Sequence, residues 1–119
     1  KGVNFFELHA KFEEIYTDLV EKVDEVAERI LTLGYTPHNG YSQYFKDSRI
    51  KEELGVSNAQ SCLKGTLEGL KVLLEQQREI LELAGESDDE GTASQMSDYI
   101  KEQEKLVWMF QAACQTCHA

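Results

Sequence analysis

No glycine or proline interrupts the chain between Asn4 and Leu33, and apolar side chains return there every three or four positions. A stretch of that kind can bury itself only as one long helix, about 45 Å from end to end at 1.5 Å per residue. Asn4 is placed to cap it, with Glu7 at the third helical position in a box-like pattern. Gly34 ends it and Pro37 prevents its resumption. At about 100° per residue, Phe5, Leu8, Phe12, Ile15, Leu19, Val26, Ile30 and Leu33 form one apolar stripe. Glu7, Lys11, Glu14, Asp18, Lys22, Glu25 and Arg29 cover the opposite side.

Between these lies a mixed strip: Phe6, His9, Ala10, Glu13, Thr17, Val20, Asp24, Ala27, Glu28 and Leu31. A surface helix needs one apolar face. A second, semi-apolar face studded with carboxylates is what an oligomer interface enclosing polar groups requires. His9 and Glu13 are four apart, as are Asp24 and Glu28, so each pair shares a face one turn apart. The two pairs sit roughly 22 Å apart along one helix, too far to share an ion. Positions 9 and 28, however, add to the same total as 13 and 24. Two copies lying antiparallel across a two-fold near Asp18 and Leu19 would bring His9 and Glu13 of one to Asp24 and Glu28 of the other. Two identical sites of imidazole and carboxylate ligands suit iron.

The remaining chain reads as more helix. Residues 34–55 form a connection with Pro37, Gly40 and the aromatic Tyr41, Tyr44 and Phe45, long enough to hold a short helix near Tyr41 to Asp47. Ser57 or Asn58 opens a second long helix with Leu63, Leu67, Leu70, Leu74, Ile80 and Leu81 apolar, ending near Ala84 and Gly85. After the polar turn Glu86 to Gly91, Thr92 to about Cys114 forms a third, with Met96, Tyr99, Ile100, Leu106, Val107, Phe110 and Ala113 apolar and Trp108 and Met109 expected in the core. No dinucleotide glycine pattern, phosphate loop or nucleophile elbow occurs. Three helices make an incomplete bundle, so a further helix is expected before Lys1 or from another chain.

At 119 residues the chain is expected to be one domain, 1–119. Its 22 acidic against 12 basic residues give a net charge of −10, which opposes non-specific nucleic-acid binding and favours attraction of cations. No apolar run approaches the roughly 20 residues of a membrane span. Three cysteines are not a disulfide framework, and with no export signal visible the expected location is the reducing cytoplasm, including the nucleoid. The terminal Cys114, Cys117 and His118 match a haem-attachment spacing, but one residue from the end no haem pocket follows and haem is not expected. Unpaired thiols are the favoured reading, with an accessory soft-metal site second.

The run N-F-F-E-L-H-A-K-F-E-E-I-Y (4–16), then V-D-E-V-A-E-R-I (23–30), Glu90-Gly91-Thr92 and E-K-L-V-W-M-F (104–110), resembles the Dps family, the miniature ferritins. The resemblance covers nearly the whole chain. It implies an all-α, ferritin-like four-helix bundle with a short helix in the middle connection, built through two-fold dimers into a hollow dodecamer. Carried over by motif, His9, Glu13, Asp24 and Glu28 would be the catalytic and metal-ligating residues of a ferroxidase centre between subunits. The family's second histidine, about a dozen residues before His9, would fall before Lys1. The implied activity is oxidation of iron(II), preferably by hydrogen peroxide, with ferric mineral stored in the cage and no organic cofactor. Glu86, Asp88, Asp89 and Glu90 would line an iron-entry pore, although Ser94 stands where the family often has a further acidic residue. DNA binding is expected to be weak or absent. The alternatives are a nucleoid-compacting DNA-binding stress protein with secondary iron chemistry, and a purely structural helical oligomer.

Overall fold

This computed structural model describes the backbone of residues 5–37 and 59–114, and the side chains of 6–37 and 61–114. Among them are three α-helices and no strand: α1 (Phe5–Thr32), α2 (Ala59–Glu86) and α3 (Glu90–Ala113). The first belongs to one compact unit, the other two to a second. The residues read as caps at Asn4, Ser57 and Asn58, and the short helix near Tyr41 to Asp47, lie outside the described residues.

In α1 the fully buried positions are Leu8, Ile15 and Lys22, spaced by sevens, with Phe12, Leu19, Val26 and Ile30 half-buried beside them. The expected apolar stripe is therefore right in kind, but the buried line is turned toward the charged side. Lys22, read as a surface residue, is buried, while Leu33 is exposed. Lys22 is accommodated there because its Nζ donates to Asp18 Oδ2 at 2.7 Å, one turn back, while its methylene stem lies along the apolar line. The helix stops where predicted. Gly34 takes φ 93°, its N–H donates to Leu31 O at 2.9 Å, and Tyr35 N–H reaches Ile30 O at 3.0 Å. This paired closure needs a left-handed residue, which glycine supplies without a Cβ clash.

Helices α2 and α3 pack together as a hairpin. In α2, Leu63, Leu67, Leu70, Leu74, Gln77 and Ala84 are buried; in α3, Met96, Tyr99, Gln103 and Phe110 are. Each leucine so placed contributes about 1.5–3 kcal/mol. Trp108 is 67% exposed and Met109 lies at the surface, contrary to their expected core role. The seam of α3 runs through residues 96, 99, 103 and 110, and position 108 is two residues, about 200°, off that line. Ile80 is likewise exposed.

The connection is tighter than the sequence suggests. α2 runs through Gly85 to Glu86, and α3 starts at Glu90 rather than Thr92. Asp88, not a glycine, closes α2: it adopts φ 58°, and Asp89 N–H donates to Ala84 O at 2.8 Å. Aspartate is among the few residues that tolerate this conformation. Asp89 then caps α3, its Oδ1 accepting from Thr92 N–H at 3.1 Å and its Oδ2 from Thr92 Oγ1 at 2.6 Å. Asp89→Ala is expected to lower stability by about 1–2 kcal/mol in urea unfolding, and Asp89→Asn to retain most of the cap.

Candidate metal centre

His9, Glu13, Asp24 and Glu28 are all on α1 and all exposed. Four-residue spacing puts His9 over Glu13 and Asp24 over Glu28, one turn apart on the same face. Each pair is thus assembled by a single helix, and unbroken helix between residues 13 and 24 holds the two pairs about 22 Å apart. Among the described residues of one chain, no three or more histidine, cysteine, aspartate or glutamate side chains are grouped to hold a metal ion. One chain brings together two ligands at a time.

The face carrying these ligands is also unusually apolar for a surface. Phe6 is 79% exposed, Leu31 60% and Val20 45%, with Tyr16 and Val23 exposed along its edge. A shallow groove beside it, lined by Ala10, Glu13, Glu14, Thr17, Asp18 and Glu21, places four carboxylates around one stretch of helix. Such a concentration of negative charge attracts cations.

The symmetry of the two ligand pairs extends further along α1 than those four residues. Phe6 and Leu31 share the same midpoint between Asp18 and Leu19, as do Ala10 and Ala27, and Thr17 and Val20. All ten residues of the mixed strip fall into five such pairs. The pairing is by kind as well as position: large apolar with large apolar, small with small, ligand with ligand. The signal was present in the residue numbers.

The other predicted site residues are less alike than the sequence implied. Glu86, Asp88 and Glu90 are exposed around the α2–α3 turn, whereas Asp89 is half-buried with both carboxylate oxygens bonded to Thr92. Cys114 ends α3, is fully buried and is disulfide-bonded. That corrects its reading as an unpaired thiol, and a sulfur so bonded is no metal ligand. Cys117 and His118 lie outside the described residues. Cys62 is free.

Comparison with known proteins agrees with this architecture. The ferritin-like domain family matches residues 1–119. A protein of Haemophilus influenzae is 80% identical over 118 residues, covering 99% of this chain and 74% of its own length. The DNA protection during starvation protein of Porphyromonas gingivalis is 46% identical over 108 residues, covering 91% of this chain and 68% of that protein. The crystal structure of the Dps protein of Vibrio cholerae O1, described as a member of a broad superfamily of ferritin-like diiron-carboxylate proteins, superposes with a TM-score of 0.89 at 59% identity. That match covers 94% of this chain and 70% of the Vibrio chain. The histidine and carboxylate motifs on α1, the all-helical fold and these relatives place the chain in the Dps branch of the ferritin-like family.

Proposed function

We propose that the protein oxidises iron(II), with hydrogen peroxide as the preferred oxidant, and stores the ferric product inside a cage built from two-fold dimers, a dodecamer when complete. The observation that carries this reading is the symmetric strip on α1. In an antiparallel pair of α1 helices, Phe6 of each copy meets Leu31 of the other, Ala10 meets Ala27, and Thr17 meets Val20. The apolar and small pairs let the helices approach; His9 and Glu13 then face Asp24 and Glu28 twice over, once at each end. Each site joins one imidazole to three carboxylates, a donor set that accepts iron(II) and, through its charge, favours iron(III).

Iron is the substrate here. Two iron(II) ions give one electron each to a peroxide, whose O–O bond breaks, and hydrolysis of the iron(III) to oxyhydroxide releases protons. The carboxylates hold the ions near each other and balance the charge that grows during oxidation. Removing iron(II) and peroxide together protects DNA without touching it. The test is direct: iron(II) and peroxide added to the assembled protein should yield a soluble ferric core, and an anomalous-scattering map after an iron(II) soak should place metal between paired α1 helices at two equivalent positions, one on either side of the two-fold. Mineral precipitating as in protein-free buffer, or metal scattered over the surface, would contradict the reading.

Iron entry is assigned to Glu86, Asp88 and Glu90, three copies of which would form a negative ring around a three-fold pore. Asp89, committed to capping α3, contributes less. The double variant Glu86→Gln with Asp88→Asn is expected to slow iron uptake several-fold at low ionic strength, with the difference shrinking as salt rises. Equal uptake rates in stopped-flow measurements at low salt would remove this role.

A further inference from the structure

Cys114 stands where α3 ends, offers no surface to solvent and is disulfide-bonded. The chain has three cysteines and Cys62 is free, so the sulfur joined to Cys114 is that of Cys117. Gln115 and Thr116 separate the pair, and His118 follows it.

Bracing the fold is a poor use of this bond. A disulfide stabilises chiefly by constraining the unfolded chain, and so short a loop constrains it least. The helix end is also closed without it: Cys114 N–H donates to Phe110 O at 2.9 Å, and the Phe110 side chain is buried. The same short spacing suits electron exchange, because two thiols this close in sequence meet again after each opening without refolding of the chain. Position decides the direction of that exchange. Burial and the carbonyl end of α3 both disfavour a thiolate at Cys114. A pair whose open form gains little as thiolate holds its disulfide firmly, so as a dithiol it gives up electrons readily. Position also orders the steps. A reagent in solution finds no surface on Cys114, so reaction enters at Cys117.

We propose that Cys114 and Cys117 form a dithiol couple that reduces hydrogen peroxide without iron and is restored by a separate dithiol. The Cys117 thiolate attacks one peroxide oxygen and the O–O bond breaks. Cys117 becomes a sulfenic acid, and the released hydroxide takes up a proton as water. The Cys114 sulfur then attacks the Cys117 sulfur, the S–O bond breaks, and the departing hydroxide leaves with the Cys114 proton as water. Each sulfur has given one electron, and one peroxide has become two waters. An external dithiol reopens the bond: its first thiolate attacks Cys117, Cys114 leaves and takes a proton, and its second thiol displaces Cys117. This reaction shares peroxide with the iron chemistry proposed above and uses none of the α1 residues.

The experiment uses the assembled protein stripped of iron by a chelator, reduced with a phosphine and freed of it. After a ~10-fold excess of hydrogen peroxide, thiols are counted in denaturant and the C-terminal peptide is weighed. The parent is expected to lose two of its three thiols, with Cys114 joined to Cys117 and Cys62 kept. Cys117→Ser should keep Cys114 reduced, its thiol loss at least ~10-fold slower than the parent's, and Cys114→Ala should stop at a Cys117 sulfenic acid that dimedone traps. With dithiothreitol present, the parent should consume peroxide past one equivalent per chain, and Cys117→Ser no faster than dithiothreitol alone. A parent that keeps all three thiols would overturn the proposal, and that result needs no variant to fold. Cys114 oxidised at the parent's rate in Cys117→Ser would overturn it too. Because iron is absent throughout, these outcomes are independent of whether the α1 site oxidises iron(II).

Discussion

Asp24→Asn is expected to slow iron(II) oxidation by peroxide roughly 10–100-fold, the scale of loss when a metal site's electrostatics are disturbed. The substitution keeps the shape of the side chain and removes its charge. Asp24 is exposed on α1, so the helix and its buried line of Leu8, Ile15 and Lys22 should be untouched. Circular dichroism and unfolding midpoint should therefore match the parent while the rate falls. Glu25→Gln is the control: it removes the same charge one position away, on the side of α1 turned from the mixed strip, and should leave the rate unchanged. Equal losses in both variants would mean that general negative charge, not ligation, sets the rate.

The second large effect is expected from Val20→Asp. In a lone chain this is a change at an exposed helical position, worth no more than about 0.5 kcal/mol. Under the proposed geometry Val20 faces Thr17 of the other copy beside the two-fold axis. The substitution then buries two carboxylates close together without partners, a penalty of several kcal/mol. Assembly should weaken at least ~100-fold, the equivalent of about 2.8 kcal/mol. Size-exclusion chromatography with light scattering would show smaller species, with oxidation lost alongside and helix content kept. Val20→Asp running at the parent's size would show that this face of α1 is not the contact.

What the sequence made legible was set by periodicity. The long α1, its glycine stop and the leucine seam of α2 follow from spacing alone, because a helix repeats its environment every three or four residues. The exchanges at the edges were not legible. Lys22 is buried because a long methylene stem can lie along an apolar line while Asp18 holds its end, and hydropathy scores the end alone. Gly85 looked like a stop and is helical, since Asp88 takes the left-handed turn that glycine usually takes. Trp108 looked like core from its place in the last apolar run of α3, yet its phase points away from the seam. For the site, spacing delivered His9, Glu13, Asp24 and Glu28 as two pairs, and the symmetry about Asp18 and Leu19 suggested how they combine. The acidic turn could not be resolved into parts from sequence, because separating a capping Asp89 from an exposed Asp88 requires backbone angles.

Under the proposed geometry each site is built jointly by two chains, and one mixing measurement tests this. His9→Ala and Glu28→Gln variants, each inactive when assembled alone, are unfolded together and refolded as a mixture. In a mixed dimer one site carries both lesions and the other carries none. With random pairing, half the dimers are mixed and half of their sites are intact, so activity should return to about a quarter of the parent's. Sites built from a single chain would carry a lesion in every copy. A mixture no more active than the two variants kept apart would contradict the account.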